Sequence, residues 1–133
     1  MRAVAAVLAA RVALALMGFQ RLRARIEQRY EALPAREDRE AAQTLRRAMD
    51  RAARALPKVT CLPRALAAEW LLRRNGQAAL LSVGVARSDG AARDAALDAH
   101  AWVESAGVIV CGDLPDLARY QPLRVTPDAS TVR

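Results

Sequence analysis

Three residue types occur in an order that can do nucleophilic chemistry. Cys61 lies in Thr60-Cys61-Leu62-Pro63-Arg64-Ala65-Leu66. His100, the only histidine in 133 residues, follows in His100-Ala101-Trp102-Val103-Glu104, and Asp113 comes just past the next apolar run. A thiol that attacks a carbonyl, an imidazole that takes its proton and a carboxylate that orients the imidazole are the parts of a cysteine hydrolase or acyl transferase. Each residue alone has a plainer reading. Free cysteine is among the most buried residue types, and Asp116 is a second candidate for the orienting carboxylate. Glu104 is a poor one, because four residues along one strand is about 13 Å.

The elements around these residues decide whether they can meet. Thr60 reads as the N-cap of a helix that runs to the Asn75-Gly76 stop, its hydroxyl accepting from a first-turn amide. Pro63 is tolerated there because first-turn amides lack intrahelical partners. Cys61 then sits at the positive end of the helix dipole, where a thiolate and the oxyanion of a tetrahedral intermediate are both favoured. The Cys61 backbone N–H is the natural oxyanion donor.

From residue 79 the periodicity changes to strands: 79–86, then 99–104 with His100, Trp102 and Glu104 on one face, then a Ser105-Ala106-Gly107 turn and a strand at 108–111. That hairpin brings Asp113 back toward His100. Residues 87–97 read as a loop, 120–125 as a last extended piece. Ahead of Cys61, one helix runs from about Ala3 to Leu33 with a break near Gly18, and another from about Arg36 to Leu56, ended by Pro57. The spacing thus divides the chain into an N-terminal helical region, 1–57, a core, 58–125, and a frayed tail, 126–133.

Composition narrows the function classes. Net charge is +7, unevenly spread: residues 1–75 hold sixteen Lys/Arg against seven Asp/Glu, residues 76–133 five against seven. A basic helical half can be a solvated face, or can steer an acidic peptide or an anionic surface. Nucleic acid is disfavoured, since no aromatics interleave with the arginines and no binding motif is present. Two cysteines give no disulfide framework, which fits a reducing, cytoplasmic setting. Cys111 reads as a small buried hydrophobe. One histidine and no Cys-x-x-Cys leave no metal site to expect, and no glycine-rich loop suggests a cofactor. The apolar run from Ala3 to Met17 resembles a signal peptide's core, but Arg11 interrupts it and it is too short to span a bilayer. A packed or partner-facing helix is preferred to an interfacial membrane helix or a cleaved signal.

The ordered set Cys61-Leu62-Pro63-Arg64-Ala65-Leu66, Trp70-Leu71-Leu72-Arg73-Arg74-Asn75-Gly76, Val83-Gly84-Val85, His100-Ala101-Trp102-Val103-Glu104 and Tyr120-Gln121-Pro122-Leu123 resembles the leader peptidases of lasso-peptide biosynthesis. These are small members of the transglutaminase-like cysteine-protease superfamily. The resemblance covers roughly residues 58–123. Thr60 stands where members often have glycine, and the 87–97 loop is longer than in the family. The resemblance implies an α+β fold with a papain/transglutaminase-like core, in which a cysteine-bearing helix packs on a small antiparallel sheet behind N-terminal helices. It implies a Cys61–His100–Asp113 triad without cofactor or metal. It also implies hydrolytic removal of the leader from a ribosomally made precursor, freeing the amine that an asparagine-synthetase-like cyclase joins to a side-chain carboxylate. A separate leader-recognition protein is implied too, since the N-terminal part reads as helical and lacks that protein's strands. A different amidase or acyl transferase on the same core, and a non-catalytic scaffold with a degenerate triad, are the competing expectations.

Overall fold

A computed structural model describes residues 2–30, 35–87 and 97–123. Four helices lead, α1 (Arg2–Met17), α2 (Phe19–Tyr30), α3 (Arg39–Ala55) and α4 (Cys61–Arg74). Four strands follow, β1 (Leu80–Arg87), β2 (Leu97–Ser105), β3 (Val108–Cys111) and β4 (Gln121–Leu123), with a 3₁₀ turn at Leu117–Arg119 before the last. The strands form one sheet in the order β3-β2-β1-β4, antiparallel throughout. The fold is α+β, as the resemblance implied. Most of the expected 87–97 loop and the whole 126–133 tail lie outside the described residues.

The N-terminal helical run breaks at Gly18, as the spacing suggested, into two helices bent by 120°. Gly18, at φ +80°, makes the corner in a left-handed conformation that costs glycine little. The chain then folds back, and Val7 of α1 and Ile26 of α2 both reach the core. No single helix among the described residues is long and apolar enough to cross a membrane. α3 starts three residues later than the spacing suggested, because the Asp38 carboxylate accepts from the Ala41 amide and caps it.

α4 is the centre of the molecule. Ala65, Leu66, Ala67, Ala68 and Leu72 are at most 1% exposed. Helices α1, α2 and α3 and the sheet all contact α4, and alanines at three of these positions let them approach closely. Thr60 occupies the N-cap position with extended backbone, but contrary to expectation its hydroxyl makes no capping hydrogen bond. Arg36 and Gln77 form a single parallel bridge, with Arg36 N–H donating to Gly76 O and Ala78 N–H to Arg36 O, both at 2.8 Å. That bridge ties the entry of α3 to the exit of α4.

β2 is an interior strand of the sheet, paired with β1 from Leu97 to Glu104, Gly84 opposite His100. The Ala106-Gly107 turn has positive φ at both residues, 50° and 74°, as a tight hairpin between right-twisted strands requires. β3 then departs from simple pairing. Glu104 faces Ile109 and Val103 faces Cys111, so Val110 is an extra residue in a bulge. The expected final strand, 120–125, is seen at Gln121–Leu123, where it pairs with the outer edge of β1; 124 and 125 lie outside the described residues.

Glu69, on α4, has no exposed surface and lies 3.1 Å from Arg73. Its second oxygen, Oε2, has no hydrogen-bond partner among the described residues. Burial pushes its carboxyl up, against the opposing pull of Arg73 and Arg23. A raised carboxyl makes the fold bind a proton more tightly than the unfolded chain does. Its stabilising contribution is full below the unfolded value and is lost as pH rises through the folded one. Glu69→Gln should therefore gain in melting temperature relative to the wild type at neutral pH, and the gain should shrink as pH falls through the folded value and be gone below about 4.5, the ordinary carboxyl value. Thermal unfolding of both proteins across pH measures the difference.

Candidate active site

Cys61 is the first residue of α4, half-buried and packed against the core. The first turn of a helix leaves its amides without intrahelical acceptors. Here the first-turn amides beside the thiol are those of Cys61 and Leu62, since Pro63 has none. Arg64 anchors this end of the helix: its Nη2 donates to the Leu56 carbonyl at 2.9 Å. The same carbonyl accepts from Val59 N–H at 3.2 Å. The turn that delivers Cys61 is thus fastened to the end of α3 from both sides.

His100 is held on three sides. Its ring stacks with Trp102 at a 6.2 Å centroid separation and 17°, and tilts against Tyr120 at 5.4 Å and 48°. Trp102 lies beside His100 because Gly84 has no side chain. A Cβ there would come within 2.8 Å of the indole and 3.0 Å of Tyr120 Cβ. The third contact sets the chemistry: His100 Nε2 is 2.6 Å from the Gly112 carbonyl oxygen. A carbonyl only accepts, so Nε2 carries the proton and Nδ1 is left as the basic nitrogen.

Gly112 can take this place only as glycine. Its φ is +85°. A Cβ would lie 2.4 Å from the Ala101 carbonyl and 2.9 Å from Trp102 Cα, both backbone atoms. The bulge at Val110 precedes this close approach, which brings the Gly112 carbonyl to the imidazole.

Asp113 is one residue further on. Its carboxylate bonds Arg46 of α3 at 3.0 Å, both side chains 41% exposed, a pair worth about 0–1 kcal/mol by itself. Asp116 pairs with Arg119 at 2.9 Å. Arg119 also reaches Asp98 at 3.2 Å. The structure therefore brings Cys61, His100 and Asp113 to the wall of one cavity of about 450 Å3, which Asp116 does not line. The partner of His100 Nε2 within that wall is a peptide carbonyl.

Arg46, Met49 and Asp50 of α3 form the facing wall, with Arg64 and Leu114. Cys111 lines the same cavity. Burial pushes its thiol up to about 12, with Arg64 opposing. It is a neutral, weakly nucleophilic thiol at ordinary pH, and it packs against the core as a small hydrophobe would.

Sequence reasoning did not single out Gly112, Gly84, Arg46 or Arg64 for the site. Cys111-Gly112-Asp113 did carry a signal, a glycine ending an apolar strand immediately before an acidic residue. The bulge that aims its carbonyl is tertiary and left no pattern. Among the described residues, no cluster of three or more His, Cys, Asp or Glu could hold a metal ion.

With this geometry in view, a family match gains meaning. The chain belongs to the transglutaminase-like superfamily, whose model matches residues 4–125. The match takes in α1, α2 and α3 as well as the region from residue 58 onward. No curated protein and no solved structure matches the chain.

Gly112→Ala should destabilise the fold by more than about 1 kcal/mol, since a left-handed position is incompatible with a side chain. Gly84→Ala should cost about 1–3 kcal/mol by overpacking the Trp102 ring. Chemical denaturation of each variant checks both values.

Proposed function

We propose that this protein is a cysteine peptidase that removes the leader from a ribosomally made lasso-peptide precursor. The observation that carries the catalytic part is the shared cavity: a cysteine on the first residue of a buried helix, with a histidine of fixed tautomer in the same wall. The ordered motifs from Cys61 to Tyr120-Gln121-Pro122-Leu123 support the leader-removal part.

In this reading His100 Nδ1 takes the Cys61 proton, and the sulfur attacks the scissile carbonyl. The tetrahedral oxyanion is held by the unpaired amides at the start of α4. His100, now an imidazolium, gives its proton to the departing amine. Water then hydrolyses the thioester, with His100 as base. The Gly112 carbonyl keeps the imidazole oriented throughout and stabilises the imidazolium by accepting from Nε2. Asp113 is the acidic member of the set. It acts through the loop it anchors, clamped by Arg46 one residue beyond the carbonyl that His100 uses.

The proposed partners are the precursor peptide, a separate leader-recognition protein and an asparagine-synthetase-like cyclase, in the cytoplasm.

In a mixture reconstituted with precursor and recognition protein, Cys61→Ala should reduce cleavage to background, while Cys111→Ala should stay within a few-fold of wild type. Mass analysis of the product separates hydrolysis from cross-linking; retained cleavage by Cys61→Ala would sink the proposal. Asp113→Asn should lower kcat only about tenfold. A carboxylate in direct contact with the catalytic histidine can be worth about 10⁴, and that larger loss would instead place Asp113 on the imidazole during turnover.

A further inference from the structure

A second cavity, of about 240 Å3, lies in the crook where α1 and α2 fold over α4. Ala9 and Ala13 of α1, Ile26 of α2, and Leu66 and Trp70 of α4 give it an apolar lining. An apolar cavity of about 150 Å3 is enough for a benzene ring, so this one accommodates a single large aromatic or aliphatic side chain.

Its rim is basic. Arg25 and Arg29 line the cavity, and Arg21 and Arg25 line the hollow beside it. The three arginines fall at i, i+4 and i+8, on one exposed face of α2. Like charges at this spacing destabilise a helix. Among the described residues no carboxylate pairs with any of the three; the ion pair of α2 is Arg23 with Glu27. A row of unneutralised cations beside an apolar socket has the complementary form of an acidic peptide with one large apolar side chain.

The position of the socket on α4 indicates the source of that peptide. The helix that starts with Cys61 reaches Leu66 and Trp70 about 8 and 14 Å further along its axis. At 100° per residue these two lie on the side of α4 away from Cys61. One chain occupying both cavities has to pass around the domain, which an extended segment does at about 3.3 Å per residue. Binding energy from a remote part of a substrate can be used at the reacting centre.

We propose that the α1–α2–α4 cavity is a substrate exosite. It receives a large apolar side chain from an acidic stretch of the precursor, remote from the scissile bond, while Arg21, Arg25 and Arg29 hold the flanking carboxylates. This rests on the peptidase reading for the identity of the substrate, but its test does not depend on turnover.

The full chain carrying Cys61→Ala is titrated against a short fluorescein-labelled peptide of glutamates and serines with one central phenylalanine, read by anisotropy. Saturable binding is expected. Replacing the phenylalanine with serine, or introducing Arg25→Glu with Arg29→Glu, should each weaken binding at least about tenfold, a loss of about 1.4 kcal/mol. Both substitutions are on exposed positions, so circular dichroism should show an unchanged fold. In a Trp102→Phe background the peptide should also perturb the fluorescence of Trp70. Absence of saturable binding, or binding indifferent to both changes, would overturn the exosite. So would binding to phosphatidylglycerol vesicles that the charge reversals abolish while leaving peptide binding unchanged, since the basic face would then serve a membrane. None of these results bears on whether Cys61 is the nucleophile, which the cleavage assay decides separately.

Discussion

The encasement of α4 is the constraint from which the rest of the molecule follows. A helix surrounded by other helices and by a sheet has no solvent face along most of its length. It cannot be amphipathic in the ordinary way, and it needs small residues wherever a neighbour crosses closely. Ala65, Ala67 and Ala68 meet that need, and Leu66 and Leu72 supply the apolar volume. What remains open is the beginning of the helix. Packing that buries the middle of α4 leaves Cys61 at its first residue facing a cavity, with the start of the helix tied down by Arg64.

The sheet answers this helix with a device of its own. β2 carries His100, but a histidine on a regular strand would be oriented only by its neighbours on the same face. The extra residue at Val110 breaks the β3 ladder, and Gly112, just past it, comes into close contact with Ala101 and Trp102 of β2. A backbone carbonyl held in close contact with β2 is less mobile than a carboxylate on a flexible stem. It carries no charge that must be desolvated, and it holds one tautomer. Charge enters the same loop one residue later, where Asp113 reaches to α3 and is neutralised by Arg46. Orientation of the imidazole and anchoring of the loop are thus separate tasks of adjacent residues.

Local chemistry explains how much of this was legible in the chain. The Cys61 helix, the His100 strand and the Ala106-Gly107 hairpin were readable because proline, glycine and alternating apolar residues mark them within a few positions. The break at Gly18 was legible as a break, but its 120° angle depends on where Val7 and Ile26 find the core, which no short window contains. Thr60 has the right residue type for a cap and the right backbone, yet its hydroxyl bonds no first-turn amide. Asp113 shows the main limit. A hairpin argument could bring it to the cavity wall, but the bulge that puts Gly112 O on the imidazole depends on the two-against-one pairing of β3 with β2. The burial of Glu69 was likewise invisible, since a charged residue on a helix is ordinarily solvated.

The outer edge of the sheet has a consequence for how chains can meet this protein. Along the described residues of β4, Gln121–Leu123, the central one, Pro122, has no N–H to donate. A further strand laid along these three residues would find no donor at Pro122, so backbone pairing is disfavoured there. Association along these residues relies on side chains and shape more than on main-chain hydrogen bonds. The sheet that presents His100 is thereby less open at Gln121–Leu123 to the indiscriminate pairing that an open edge offers to any extended peptide.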